Sequence, residues 1–319
     1  MGYGSYRVDP ARPCRSWPLA TAAGGGAARN VAPVVIVFAL LAALSNAVSV
    51  TTRHVASVAD PHKSAGWRLI IYLLRNPVWL IGWAAQAAAF VFQALALHNG
   101  EVSVVQPLLV IELVLTLVLR RVWIRQSIRP AAWSGGGLAC LGLAVFLTVS
   151  EPQGGHLTPA SGHWAAAIIG CAAFIAVLMA LGRLTSAGPR AALWGAAAAT
   201  AWALIAAFIK STTDTITQYG VGGMFTHWPV YALAVGGLTG VLLEQWALQA
   251  GPLRVSQPFL VIVDPLVSII LSMWLFGEHF DPDAATVTIA VLAFAVMCAG
   301  VVLLTQTAPA TMEPAQPAG

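Results

Sequence analysis

Three acidic residues interrupt long apolar blocks of this sequence, and they are the residues most suited to chemistry inside a membrane. Glu112 lies within "VVQPLLVIELVLTLVL", Glu244 within "TGVLLEQWAL" and Asp264 within "FLVIVDPLVSII". A charge at the bilayer centre costs at least ~2.5–3.5 kcal/mol, so such acids usually face a bundle interior or a wet cavity. There they could bind a cation or carry a proton. The alternative is that each acid is protonated and holds neighbouring helices together by hydrogen bonds.

Polar residues share helical faces with these acids, because positions three, four or seven apart lie on one side of a helix. Asp264 follows Gln257 by seven residues and precedes Ser268 by four. Thr116 follows Glu112 by four. The predicted substrate- or ion-binding site therefore comprises the three acids and the nearby amides and hydroxyls: Glu112, Asp264, Glu244, Gln93, Gln257, Gln106, Gln86, Ser268 and Thr116.

Other charged residues lie nearer the ends of the apolar blocks, and no Lys or Arg lies as deep as the three acids. We expect four acids at the ends of the predicted spans to be solvated: Glu101, Glu278, Asp281 and Asp283. Three prolines lie within the blocks and remove backbone donors, which predicts kinks: Pro107, Pro258 and Pro265.

The elements that position these residues follow from composition. The chain has 319 residues, of which 58% are hydrophobic and 9% charged, and its mean hydropathy is +0.79. Soluble domains carry about 25% charged residues. The apolar blocks are continuous and about 20 residues long, which suits helices that cross a ~30 Å hydrocarbon core. We predict an all-α, polytopic membrane helix bundle.

Nine transmembrane spans are predicted, numbered one to nine, at about 31–52, 77–98, 103–123, 132–150, 162–182, 191–211, 228–249, 254–276 and 284–306. They form a single transmembrane domain over 31–306, between disordered tails at 1–30 and 307–319. A short interfacial helix is expected over about 64–75 and a Thr- and Gly-rich loop over 212–227.

The sequence also contains an internal repeat. At an offset of 151, eleven of 28 positions are identical between 96–123 and 247–274, including the Gln-Pro pairs that begin at Gln106 and Gln257. "CLGLAVFL" from Cys140 similarly resembles "CAGVVLLT" from Cys298. Two four-helix repeats, 31–150 and 191–306, would then be joined by a connector helix at 162–182. One connecting span inverts the second repeat relative to the first, an architecture typical of secondary transporters.

The stretches "LLRNPVWLIGWAAQAAAFVFQALALHNGEVSVVQPLLVIELVLTLVL" and "QPFLVIVDPLVSIILSMWLFGEHF" resemble the drug/metabolite transporter (EamA-like) superfamily. The resemblance covers about 31–306, and "PLVSIILSMWLFGE" is similar to the family's recurring P…G-E helix. The first copy departs from it, since Gln126 and Ser127 occupy the positions of Gly277 and Glu278. The nine-span layout is most similar to the NIPA-type magnesium transporter branch. The resemblance implies carriage of a small solute.

We therefore predict a secondary-active transporter that works by alternating access, with proton or cation coupling. The alternatives are a transporter of Mg²⁺ or another divalent cation, whose oxygen ligands the acids and amides could supply, and a non-transporting membrane scaffold. No enzymatic activity and no cofactor is predicted: GxxxxGK[ST], HExxH and GxSxG motifs are absent, and the seven histidines are scattered.

The expected location is the cytoplasmic membrane. Eleven Lys and Arg residues fall on one side of the predicted spans and five on the other. Because basic loops remain cytoplasmic, this places the N-terminus outside and the C-terminus in the cytoplasm. The expected partners are a small-molecule or ion substrate and the lipid bilayer. A homodimer stays open, and the small net charge of +4, confined to loops, gives no support for nucleic-acid binding.

Overall fold

A computed structural model describes residues 24–58, 76–123, 125, 127–150, 161–251, 253–278 and 283–307. Within them the chain is helical, with ten α-helices in this order: α1 Gly24–Val58, α2 Pro77–Asn99, α3 Val102–Leu109, α4 Ile111–Val122, α5 Pro130–Val149, α6 Ser161–Arg183, α7 Ala187–Gly223, α8 Trp228–Ala250, α9 Leu253–Leu271 and α10 Ala284–Thr307. A 3₁₀ turn, Met224–Thr226, precedes α8, and a π-helical turn, Ser272–Phe276, extends α9.

The prediction of nine membrane spans is confirmed for the described residues, where nine helical segments are long and apolar enough to cross a bilayer. Span one lies in α1, span two is α2, and span three consists of α3 and α4. Spans four to nine correspond to α5 to α10. Large apolar side chains are exposed along the spans, for example Ile169 at 67% and Val235 at 68%. Such continuous apolar surface is typical of contact with lipid.

Two segments differ from the sequence-based prediction near the chain's beginning. Helix α1 begins at Gly24, so residues 24–30 are helical although they were predicted to be part of a disordered tail. The interfacial helix expected at about 64–75 lies outside the described residues, as do residues 1–23 and 308–319 of the two predicted tails.

Span six is longer than predicted. Residues 212–223 were expected to form a loop, but α7 continues through them to Gly223. The threonines of this segment satisfy their hydroxyls within the helix, since Thr212 donates to the Phe208 carbonyl at 2.7 Å and Thr215 to the Ser211 carbonyl at 2.8 Å. Helical geometry is interrupted at Gly220, whose φ of 74° suits glycine.

Span three is divided into two helical pieces. The interruption is one residue long, at Val110, which lies between α3 and α4 and keeps right-handed helical dihedrals (φ −57°, ψ −25°). Here the hydrogen bonds shorten to the three-residue spacing of a 3₁₀ turn, from the Val110 N–H to the Pro107 carbonyl at 3.1 Å and from the Leu113 N–H to the Val110 carbonyl at 3.2 Å. Glu112 consequently lies in the first turn of α4. The kink expected at Pro107 stays a prediction, and the structure shows a one-residue interruption of span three at Val110.

The spans pack in two similar groups. Span one contacts spans two and three, and span six contacts spans seven and eight. Spans four and nine pack against each other, span five packs against span six, and the first part of span three contacts span eight. The largest apolar core joins buried residues from both groups, including Leu97, Phe208 and Met297.

Glycines allow spans four and nine to approach backbone to backbone. A Cβ atom placed on Gly142 would lie 2.4 Å from the Met297 nitrogen, and one on Gly300 would lie 2.3 Å from the Ala139 nitrogen. Separations of this kind leave no room for a side chain, so both positions require glycine. Small residues are the usual means of close helix contact in membranes.

Candidate functional site

Glu112 belongs to a hydrogen-bonded network between spans one, two and three. Asn46 donates through Nδ2 to Glu112 Oε2 at 2.9 Å and accepts at Oδ1 from Gln86 Nε2 at 2.8 Å. Ser49 Oγ donates to Gln86 Oε1 at 3.2 Å. Two predicted site residues, Glu112 and Gln86, are therefore brought together by Asn46, which the sequence-based prediction did not include.

The same part of the molecule buries further polar groups on span three. Gln106 and Thr116, both predicted site residues, are buried. Arg120, one turn after Thr116, is also buried at 3% exposure, and its Nε and Nη1 atoms have no hydrogen-bond partner among the described residues. Positions 112, 116 and 120 follow one helical face at four-residue intervals. Span three thus carries an acid, a hydroxyl and a guanidinium in succession.

The other two acids have partners within the second group of spans. Trp202 of span six donates through Nε1 to Glu244 Oε2 at 3.0 Å. Ser268 Oγ donates to Asp264 Oδ1 at 3.3 Å, and Ser268 is fully buried. Gln93 and Gln257 are half-buried on spans two and eight. Asp264 and Ser268, which helical spacing placed on one face of span eight, are therefore hydrogen-bonded to each other.

The hydrogen bonds named above link the three acids to different neighbours. That of Glu112 runs to span one, that of Glu244 runs to span six, and that of Asp264 stays on span eight. An open groove of about 170 Å³ lies between spans five, six and eight and is almost wholly apolar. Cys171, Thr200, Leu271 and Trp274 are among the residues that line it. It is not a polar cavity around the acids.

A second polar cluster, absent from the predicted site, surrounds Glu278. Its carboxylate accepts hydrogen bonds from Lys210 Nζ at 3.0 Å, from the Val102 N–H at 3.0 Å, and from the Ser103 N–H and Oγ at 3.2 and 2.6 Å. Lys210 Nζ also donates to the Gly100 carbonyl at 3.3 Å. We call these five residues, Glu278, Lys210, Val102, Ser103 and Gly100, the Glu278 junction.

The prediction that Glu278 is solvated is wrong. Glu278 is 1% exposed and Lys210 is 8% exposed. Glu278 is buried because it meets the beginning of another helix. Span three begins at Val102, and the first N–H groups of a helix need hydrogen-bond acceptors from outside it. Glu278 supplies that acceptor from the end of span eight, and Lys210 neutralises its charge. A buried carboxylate is tolerated when it is paired and hydrogen-bonded in this way.

The electrostatics of the junction favour the ionised acid. Burial raises the pKa of Glu278, but the positive charge of Lys210 and the hydrogen bonds from Ser103 and Lys210 outweigh burial. The pKa of Glu278 therefore lies below its ordinary value of 4.5. The junction is an ion pair at neutral pH.

Some of these missed residues left a signal in the sequence. Glu278 follows Gly277, whose φ of 66° ends span eight in the left-handed conformation typical of helix C-termini. That Gly-Glu pair was recognised, but its partner Lys210 is 68 residues away in sequence. Asn46 is a single amide in an apolar span, and its sequence position does not indicate which neighbouring span its side chain contacts. No motif therefore marked it as a site residue.

A metal site finds no direct support in the described part of the chain. There, no group of three or more His, Cys, Asp or Glu residues lies close enough together to hold a metal ion. The polar groups around Glu112 are mainly amides and a hydroxyl.

We predict that Asn46→Ala destabilises the protein more than a comparable change elsewhere. The substitution removes one hydrogen bond from Glu112 and one from Gln86, which are half-buried, and each such bond typically contributes about 0.5–1.5 kcal/mol to stability. Asn99→Ala is the matched control, because the Asn99 side chain bonds only the Leu95 carbonyl of its own helix in the described contacts and is solvent-accessible. The free energy of unfolding in detergent should fall for Asn46→Ala and stay near wild type for Asn99→Ala. Equal losses would contradict the network.

Comparison with known proteins gives a distant relationship. The chain is a distant homologue of an uncharacterized protein of Corynebacterium glutamicum. The two are 25% identical over 248 residues, which cover 77% of this chain and 86% of the other. No known family model matches the chain. No solved structure matches it.

Proposed function

We propose that this multi-pass membrane protein is a secondary-active transporter that moves a small solute by alternating access. The observation that carries the proposal is the contact between spans four and nine, whose two sides repeat one another. The proposal includes two inverted four-helix repeats, 31–150 and 191–306, joined by span five. It assigns no enzymatic activity and no cofactor.

The contact between spans four and nine supports inverted repeats because equivalent residues make equivalent contacts. At the offset of 158 that relates "CLGLAVFL" to "CAGVVLLT", Gly142 corresponds to Gly300 and Ala139 to Met297. Gly142 lies against Met297, and Gly300 lies against Ala139. Exchanging the two halves therefore converts one contact into the other. The helices run antiparallel, as a two-fold axis in the membrane plane requires.

A second pair of contacts follows the same rule. Gly100 and Gly251 are equivalent at the offset of 151. A Cβ on Gly100 would lie 2.6 Å from a Val35 methyl group at the beginning of span one, and a Cβ on Gly251 would lie 2.5 Å from the Ala187 carbonyl at the beginning of span six. The packing of span one on spans two and three, and of span six on spans seven and eight, agrees with this pairing.

The network of Glu112, Asn46, Gln86 and Ser49 is the proposed binding and coupling site. It lies within three spans, contains an ionisable group, and offers both donors and acceptors to a solute. Intramembrane ionisable residues commonly mark ion pathways and proton relays. Asp264 with Ser268, and Glu244 with Trp202, are proposed as the corresponding polar groups of the second half.

The family and the orientation are also proposals. Resemblance in the repeated Gln-Pro segments and the Gly277-Glu278 pair favours the drug/metabolite transporter superfamily. The excess of Lys and Arg on one side favours an external N-terminus and a cytoplasmic C-terminus in the cytoplasmic membrane. In that orientation the Glu278 junction lies on the outer face.

We predict that Glu112→Gln strongly reduces transport. Candidate solutes are first screened for their ability to raise the thermal stability of the purified protein, since a ligand that binds only the folded state stabilises it by mass action. Amino acids, nucleotide sugars, cationic dyes and Mg²⁺ form the panel. Uptake of the solutes that stabilise is then measured in proteoliposomes with and without a pH gradient. Loss of a charged hydrogen-bond partner costs about 1.5–3 kcal/mol, so the rate should fall about tenfold or more.

Glu101→Gln is the matched control, because Glu101 lies at the N-terminal end of span three and takes no part in the network. Its uptake rate should match the wild type. If no member of the panel enters wild-type liposomes, the carrier proposal fails. If wild type and Glu112→Gln transport at equal rates with equal pH dependence, the role given to Glu112 is wrong.

A further inference from the structure

The Glu278 junction connects the two proposed halves at one face of the membrane. Val102 and Ser103 belong to span three of the first half, while Lys210 belongs to span six and Glu278 follows span eight of the second. Glu278 is hydrogen-bonded to both halves at once. A movement that separates span six from span three and from the end of span eight at this face must break the two bonds of Lys210 Nζ, to Glu278 and to the Gly100 carbonyl.

An aromatic layer closes the same face beside the junction. Trp164 of span five lies 5.5 Å from Phe208, 5.1 Å from Trp228 and 6.1 Å from Phe276 between ring centroids. Lys210 Nζ lies 5.0 Å from the centroid of the Phe276 ring. The lysine is therefore held between a carboxylate and an aromatic face, and spans five to eight meet around it.

Asp214 gives Lys210 a second possible partner. It lies one helical turn after Lys210 on span six, is 6% exposed, and its Oδ2 atom has no hydrogen-bond partner within the described ranges. Residues four apart on a helix are neighbours on its surface, so the flexible side chain of Lys210 can reach the Asp214 carboxylate. A buried carboxylate oxygen without a partner is costly, so a reachable ammonium group would be favoured there.

We propose that Lys210 is the switch of an outer gate, and that the gate opens when Lys210 leaves Glu278 and pairs with Asp214. The structure is then the state closed at this face. This inference rests on the proposed carrier function and assigns the residues that control access to its site.

A change of partner by Lys210, from Glu278 to Asp214, explains how the buried ion pair can separate. Removing one partner of such a pair leaves an uncompensated buried charge, which is strongly unfavourable. Asp214 removes most of that penalty for the lysine, because the flexible four-carbon side chain of Lys can turn from one carboxylate to the other. Glu278 keeps its bonds to span three, so the contact that breaks is the one to span six.

The test measures access to a buried position beneath the junction and needs no knowledge of the solute. Val105 of span three is fully buried, one turn below Val102 and Ser103. Val105→Cys is placed in a full-length chain whose four native cysteines are changed to Ser, and the protein is reconstituted in lipid nanodiscs that expose both faces. The rate of reaction with a sulfonated, membrane-impermeant maleimide is then measured. Leu117→Cys, buried near the opposite end of span three, is the matched control.

Glu278→Gln is expected to raise the labelling rate at position 105 roughly tenfold, as when an open state of a few per cent becomes a major one. Asp214→Asn should lower the rate, because the open state loses its ion pair. In a Lys210→Met background Asp214→Asn should have no effect, since no lysine remains to exchange. The rate at position 117 should not rise in any of these variants.

Three results would overturn the gate. Unchanged labelling at position 105 in Glu278→Gln would show that the pair does not control access. Equal rises at positions 105 and 117 would indicate general loosening. An effect of Asp214→Asn that persists in Lys210→Met would show that Asp214 does not act through the lysine. The labelling experiment needs no solute, so it is independent of the uptake experiment. If labelling does not respond to these substitutions but uptake is intact, only the gate inference is refuted. If labelling responds as expected but no solute is taken up, only the carrier proposal is refuted.

Discussion

Gly142→Ala is expected to destabilise the protein by about 3 kcal/mol or more, the upper end of the range for overpacked cores. The added methyl group would lie 2.4 Å from the Met297 nitrogen and 2.7 Å from the Ala293 carbonyl oxygen. Both are backbone atoms and cannot rotate away, so spans four and nine must separate along their length. The free energy of unfolding, followed by tryptophan fluorescence during denaturant titration of the detergent-solubilised protein, measures the loss.

Gly137→Ala on the same span provides the control. A Cβ at this position meets nothing within 4 Å. Alanine favours a helix over glycine by about 0.5–1 kcal/mol, so this variant should be as stable as the wild type or slightly more so. Gly300→Ala should reproduce the Gly142→Ala loss, because it meets Ala139 in the equivalent way. Similar stabilities of the Gly137 and Gly142 variants would contradict the backbone contact.

Glu278→Ala is the second change with a large expected effect, a loss of about 3–5 kcal/mol of unfolding free energy. It leaves the Lys210 ammonium buried without its carboxylate and the N–H groups of Val102 and Ser103 without their acceptor. Lys210→Met should cost less, because the carboxylate keeps its hydrogen bonds from Val102 and Ser103. The order of the two losses, measured by the same titration, checks the assignment.

The pH dependence of this effect has a defined sign. The pKa of Glu278 is lowered by folding, so its contribution is present above the ordinary value of 4.5 and is lost as the pH falls through the folded pKa. The stability difference between wild type and Glu278→Gln should therefore be constant from neutral pH to about pH 5 and shrink below about pH 4.5. A difference that is unchanged at low pH would show that the ionised carboxylate is not the stabilising form.

The membrane spans could be predicted closely from sequence because the signal is direct. A helix that crosses lipid must be apolar over its length, and eight of the nine predicted ranges agree with the structure to within a few residues. Span six is the exception. Its threonine-rich end is polar in sequence and was therefore predicted to be a loop. In the structure, threonine hydroxyls donate to backbone carbonyls one turn earlier, so their hydrogen-bonding groups are satisfied within the helix.

The candidate site was predicted less completely, because long-range pairing is not encoded in helical spacing. Spacing placed Asp264 and Ser268 on one face of one helix, where the structure shows a hydrogen bond between them. It could not show that Glu112 meets Asn46 from a different span, or that Lys210 reaches Glu278. Local rules also treated Glu278 as solvated, since a charge at the end of a span normally reaches water. Here the beginning of span three occupies that position instead.

The interruption of span three at Val110 divides the span into two helical pieces with different contacts. The piece before it, Val102–Leu109, is tied to Glu278 by its first N–H groups, and the piece after it, Ile111–Val122, carries Glu112. A continuous helix would transmit any tilt of its Val102 end directly to Glu112. Because the helical hydrogen bonding is interrupted at Val110, the two pieces can tilt by different amounts, so a shift at the Glu278 junction reaches Glu112 only in part.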